Sequence, residues 1–144
     1  MVVFNGVSYP VNAVTIYGTW TFTFNVIDAA ANVITTSNTV TVNNALSPTI
    51  AATNTVNADQ NQFIVFTANT NGGTSPYTYN YIISNSVTNL QLFSNIVVTT
   101  SSSNTFMWQT NALYVGNSIR ANVIITDSAS TPVTANSAYT AATT

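Results

Sequence analysis

Hydrophobic and polar positions along this chain fall in short alternating runs, punctuated by turn residues every ~8–12 positions, which is the pattern of an all-β sandwich or barrel. The opening VVFNGVSY reads as a hairpin, with Asn5-Gly6 suited to a tight turn. TWTFTFNVI (19–27), the turn DAAAN (28–32) and VITTSNTVTV (33–42) follow. NNALSP (43–48), polar and ended by Pro48, reads as a boundary. Beyond it come IAATNTV (50–56), the turn NADQN (57–61), QFIVFTAN (62–69) and the loop TNGGTSP (70–76). In YTYNYIIS (77–84) the alternate residues Tyr77, Tyr79 and Tyr81 share one face. LQLF (90–93), NIVVTT (95–100), TFMWQT (105–110), SIRANVIIT (118–126) and PVTANSAYT (132–140) complete the predicted strands. Helical signals are nearly absent, because β-branched residues dominate and charged helix formers are missing apart from Arg120.

The two ends of the chain match each other. At one fixed offset Asp28 falls on Asp127, Ile34 on Val133, Thr35 on Thr134, and Val40-Thr41 on Tyr139-Thr140. Bringing Gly18 near Gly116 takes a shift of one residue, which a β-bulge would accommodate. The expected organisation is a partial β module over 1–44 (a hairpin plus the last two strands of a repeat), a linker over 45–48, and a complete sandwich over 49–144. Such self-similarity suggests a tandem array.

Composition narrows the function classes. Charged residues are 3% of the chain, hydrophobic residues 46% and aromatics 11%. The charges are Arg120, Asp28, Asp59 and Asp127, with no Lys, Glu, His or Cys. Thr, Asn and Ser take their place, so the surface hydrogen-bonds without a net field and is nearly indifferent to pH and salt. Ordinary soluble proteins use net charge to stay apart, so this composition points outside the cell, to the extracellular space or the cell surface. Asn is abundant, yet no Asn-x-Ser/Thr triplet occurs; Asn38-Thr39-Val40 and Asn104-Thr105-Phe106 are near misses. That avoidance hints at exposure to an N-glycosylation machinery. No stretch approaches the ~20 apolar residues of a membrane-spanning helix. The opening MVVFNGVSYP has neither the basic start nor the long apolar run of a signal peptide.

GGTSPYTYNY (72–81), the strand ends NVID and VIITD before small-residue turns, and a closing Val/Thr-rich strand resemble PKD-like and other immunoglobulin-like repeats. The likeness is to the Thr/Asn-rich forms repeated in large secreted and cell-surface proteins of archaea. It covers 48–144 well and 19–44 in part. It implies an immunoglobulin-like antiparallel β-sandwich that serves as spacer, adhesin or filament subunit. The clustered acidic residues with which many such domains bind Ca²⁺ are missing here.

The residues offer little chemistry. Asp28 and Asp127 stand where a strand breaks into a turn, and Asx-turns account for both; Asp59 reads the same way. Their matching places in different repeats argue against a dyad. Ca²⁺ wants several carboxylates together, and transition metals want His or Cys, so no metal or cofactor is expected. Ser and Thr have no His or Lys as base, so no enzyme is expected. One Arg cannot hold nucleic acid. Tyr77, Trp108 and Tyr114 are candidate glycan contacts, with sandwich core as the competing and favoured reading.

The incomplete first module leads to the functional expectation. Residues 1–44 offer too little for a core of their own. They extend the second domain, or continue a longer chain, or are completed by strands from another copy. The last yields a head-to-tail, non-closing contact and hence a homopolymer, a filament or surface array. Val3, Phe4, Val7, Tyr9 and Trp20 are the candidate assembly residues. The alternative is a stalk or adhesin module binding surface glycans or a partner cell.

Overall fold

The computed structural model describes residues 17–52, 57–129 and 134–143. Contacts divide the chain into two units, Met1–Asn43 and Asn44–Thr144. In the first unit, β1 (Gly18–Ile27) and β2 (Val33–Val42) pair antiparallel in one unbroken register, from Gly18 opposite Val42 to Ile27 opposite Val33. Asp28 makes the turn. Its Oδ1 accepts from the backbone N–H groups of Ala30 and Asn32 at 2.8 and 2.9 Å, and its Oδ2 accepts from the Asn32 side-chain amide at 2.8 Å. These bonds, led by that of the Asn32 side chain, hold the Asp28 carboxyl below its ordinary pKa.

The second unit is an immunoglobulin-like sandwich of two sheets. One holds β3 (Ser47–Ala52), β5 (Phe63–Asn71) and β8 (Ser103–Gln109), in the order β3-β5-β8. The other runs β4-β10-β9-β6-β7. Its members are β4 (Asn57–Ala58), β6 (Tyr77–Asn85), β7 (Gln91–Thr99), β9 (Ser118–Thr126) and β10 (Thr134–Thr143). All pairs are antiparallel except β4 with β10. The chain therefore changes sheets between β3 and β4, lying first against β5 and then beside β10. A 3-10 turn, Ala112–Tyr114, precedes β9, and the Asn111 side chain caps it by accepting from Leu113 N–H at 2.9 Å.

The core follows from period-two alternation. β6 sends Tyr77, Tyr79, Tyr81 and Ile83 inward; β9 sends Ile119, Ala121, Val123 and Ile125; β5 answers with Ile64, Phe66 and Ala68. Full burial of such a side chain stabilises the fold by roughly 1.5–3 kcal/mol. A buried tyrosine must also satisfy its hydroxyl. Tyr77 donates to the Gly72 carbonyl at 3.1 Å, Tyr79 to that of Ser101 at 3.2 Å, and Tyr81 to that of Asn104 at 2.9 Å. The last two therefore pin the crossover from β7 to β8.

Several details depart from the sequence reading. LQLF and NIVVTT are one strand, β7, whose register against β6 shifts only between Ile83 and Ser84. NADQN is not wholly a turn, since Asn57–Ala58 pairs with β10. No bulge intervenes in β1 or β9, where one was expected to absorb the one-residue shift; Gly18 opens β1, whereas Gly116 stands two residues ahead of β9. Residues 45–48 are built into the sandwich: Leu46 is in the core, and Ser47 and Pro48 pair with Asn71 and Thr70. Pro48 is tolerated because β3 ends its sheet, where a missing N–H breaks no ladder.

Candidate functional site

The titratable groups are dispersed. Asp28 serves its own turn, whereas Asp127 reaches across the sequence: its Oδ2 accepts from Thr74 N–H at 3.0 Å, and Ser128 N–H donates to the Thr74 carbonyl at 2.9 Å. The carboxylate thus ties the 72–76 loop to the end of β9, a longer-range role than an Asx-turn. The same loop needs its glycines. Gly72 (φ 78) lies against the Ala45 carbonyl and Gly73 (φ 72) against Leu46 and Asp127, so a Cβ at either position collides. Asp59 belongs to a tight turn with Gln62. The Arg120 guanidinium donates to Asn89 Oδ1 at 2.8 Å. Among the described residues no three His, Cys, Asp or Glu side chains gather, and no helix is long and apolar enough to cross a membrane.

The candidate glycan residues are core or lean on it. Tyr77 and Trp108 are buried, and Tyr114 packs on Trp108 with ring centroids 5.2 Å apart. A sugar platform needs a free ring face, and Tyr77 and Trp108 spend theirs on packing. Of the candidate assembly residues, Val3, Phe4, Val7 and Tyr9 lie outside the described residues. Trp20 stands on β1 and is partly exposed.

The β1–β2 ribbon has two unlike faces. Thr19, Thr21, Thr23 and Asn25 share one with Thr41, Thr39, Ser37 and Thr35. Trp20, Phe22, Phe24 and Val26 share the other with Val40, Asn38, Thr36 and Ile34. Trp20, Phe22 and Phe24 are 40%, 42% and 53% exposed. The offset that carries Asp28 onto Asp127 carries these four β1 residues onto Ile119, Ala121, Val123 and Ile125, the inward residues of β9, which are at most 1% exposed. At that offset the inward-facing parity of β9 falls on the apolar face of β1. Five residues join β1 to β2 and seven join β9 to β10, so the offset grows by two across the join. Asn25 lies opposite Thr35 but Ile124 lies opposite Asn136, and the expected match of Thr35 with Thr134 is not kept in register, although the even shift preserves which positions share a face. In the complete module β6 pairs the outer edge of β9, and the β3-β5-β8 sheet covers its face. Among the described residues the ribbon is two-stranded, and neither role is filled.

A second open edge lies on β7, which ends the five-stranded sheet. Its nine residues, QLFSNIVVT, carry no charge and no proline, the usual guards against edge-to-edge pairing. Ile96 and Val98 on its outer face are 64% and 65% exposed. Ile96 lies opposite Asn80, whose side-chain oxygen is buried without a hydrogen-bond partner and whose other neighbour in register is Ile124. The apolar alternation of β1 was visible in TWTFTFNVI, but its equivalence to β9 emerges only when the match is extended position by position. No protein-family model matches the chain, and no curated protein matches it.

Proposed function

We propose that the protein is a structural component of the extracellular space or cell surface: an immunoglobulin-like subunit that associates head to tail by strand complementation. The observation that carries this reading is the β1–β2 ribbon, a hairpin of module type with an apolar face and an outer edge that a complete module would occupy. Among the described residues each copy offers such an edge at β1 and an unguarded nine-residue edge at β7. Joining β1 of one copy to β7 of the next continues a sheet, opens no folded module, and leaves β7 open on the first copy and β1 open on the second. A contact between unlike surfaces that does not close on itself propagates into a filament or array. Backbone hydrogen bonds would supply the affinity and the alternating apolar side chains the register. A chain with 3% charged residues has little repulsion to oppose packing and little dependence on salt. The alternative of a glycan-binding stalk has no support from Tyr77 or Trp108, whose rings are buried.

Two capped chains test the reading. Thr21→Lys with Thr23→Lys places charge on β1, and Ile96→Lys with Val98→Lys does so on β7, all at exposed positions. Wild type is expected to sediment as concentration-dependent polymers and to appear as fibres by electron microscopy. Each capped chain alone should stay monomeric with its circular dichroism unchanged. Mixed in equal amounts, the two should stop at a dimer, because one compatible pair of edges remains. A wild type that is monomeric at every concentration overturns the proposal.

A further inference from the structure

The inner face of β7 stops short of closing the sandwich. In register with β6, Phe93, Asn95, Val97 and Thr99 lie opposite Ile83, Tyr81, Tyr79 and Tyr77, so this row turns toward the core. Ser94, Ile96 and Val98 turn away from it. Phe106 of β8 lies across the inner layer, its ring 5.2 Å from Tyr81 and 5.6 Å from Phe93, with the Phe93 plane tilted by only 11°. There the layer of rings ends. Among the described residues β7 and β8 each terminate their sheet, and Phe93, though turned inward, is 41% exposed. An inward aromatic open to water at a free edge is completed by a neighbour on the next strand.

β1 carries two rows of opposite character. Thr19, Thr21, Thr23 and Asn25 form one, and Trp20, Phe22, Phe24 and Val26 the other. Side chains alternate with period two whichever way strands run, so an edge-joined β1 has only two settings against β7. In the first, the aromatic row continues the inner face beside Phe93 and along the rim of β8, where ring–ring contacts across strands are favourable. In the second, threonine hydroxyls are set against the Phe93–Phe106 stack. Trp20, Phe22 and Phe24 then lie beside Ile96 and Val98 on the outer face, fusing two exposed apolar rows into one larger patch in water. The first setting buries what the second exposes.

We propose that the seam between β7 and β8 is the receiving site for β1 of a second copy, which enters with Trp20, Phe22, Phe24 and Val26 facing inward and extends the stack of Tyr81, Phe106 and Phe93. This rests on the assembly reading through β1 and β7, and adds the face and the side chains that select the partner. A strand lacking aromatic residues at alternate positions would make the same backbone bonds and leave Phe93 half bare. The seam therefore discriminates between strands by their inward row.

In a chain without cysteine, one engineered disulfide reports one contact. Neighbouring strands lie ~4.8 Å apart, within the ~4.4–6.8 Å that a disulfide spans between Cα atoms. Full-length variants with a single cysteine at each position from 19 to 26 are mixed, one at a time, with the Val97→Cys chain and then with the Ile96→Cys chain. Mixing is done where wild type assembles, and mixed disulfides are identified by mass after oxidation. Val97→Cys should couple to even-numbered positions several-fold faster than to their odd neighbours, and Ile96→Cys should show the reverse. Phe93→Ala should raise the concentration needed for assembly several-fold, whereas Ser94→Ala should leave it unchanged. Should Phe93→Ala alter the circular dichroism, the cysteine series decides alone. Assembly with the opposite parity, or with equal coupling at odd and even positions, overturns the inference while upholding association through β1 and β7. Assembly in which neither β7 cysteine couples to β1 overturns both the inference and that pairing. A wild type that never associates removes the assembly reading and this inference with it.

Discussion

Tyr79 and Tyr81 show how one residue type does two jobs in a chain so poor in charge. Their rings fill the centre of the sandwich, stacking 6.4 Å apart, and Tyr81 continues onto Phe106 at 5.2 Å. Their hydroxyls tether the β7–β8 crossover. Burial, and secondarily the neighbouring tyrosine, raises both hydroxyls above the ordinary value of 10.0. In the unfolded chain they ionise near ~10. The folded state therefore holds more protons above that pH, so its stability is intact below ~10 and falls as pH rises through the raised values. Thermal unfolding followed by circular dichroism should be level from about pH 5 to 9 and decline above 10. Tyr81→Phe should lower stability at neutral pH by about 1 kcal/mol, through the lost hydrogen bond, and should lessen the alkaline decline. The inward set Tyr77, Tyr79 and Tyr81 was legible from alternation alone. The hydroxyl partners were not, because each lies in another loop or strand. Asp127 hides in the same way: a residue at a strand end reads as a turn-maker, and its bond to Thr74 spans most of the module.

Among the elements, boundaries were clear where a turn is built locally and obscure where tertiary packing decides. β1, β2 and β9 were readable nearly to the residue, since DAAAN closes on Asp28 and alternation ends where the turns begin. NNALSP misled because Pro48 normally punctuates; at a sheet edge its missing N–H costs nothing, and Leu46 is drawn into the core. β4 is two residues long and exists only because β10 lies beside it. Ser94 interrupted the apolar run of β7 but faces outward without interrupting the strand. The 72–76 loop provides the test at this scale. Gly72 and Gly116 both have positive φ, but a Cβ at Gly72 meets the Ala45 backbone while Gly116 faces open space. Gly116→Ala should cost about 1–2 kcal/mol from the left-handed conformation. Gly72→Ala should cost clearly more, because backbone cannot yield as a side chain can; denaturant midpoints at constant slope would compare the two. Equal costs would mean that the segment before β3 moves aside freely.

At the scale of the whole molecule, the two units differ in what their described strands enclose. The second closes its sandwich around tyrosines and aliphatic residues; among the described residues the first is a two-stranded ribbon whose apolar β1 face falls, by offset, on the inward face of β9. That relation was only half legible in the sequence. The match of the two ends was visible through Asp28 and Asp127, but which residues turn inward required the register of β9 against its neighbours. The central claim is that β1 and β7 are the complementary edges of one assembly. Residue-resolved hydrogen exchange on the full chain, dilute and then concentrated, tests it most directly, since amide protection reports edge pairing strand by strand. In the dilute chain β6 and β9 should be most protected, and the edge amides of β1 and β7 should exchange fast. On concentration, β1 and β7 should gain protection together while β5 and β9 stay as they were. Edges that exchange at the same rate at both concentrations, or a β1 as slow as β9 in the dilute chain, would contradict the account.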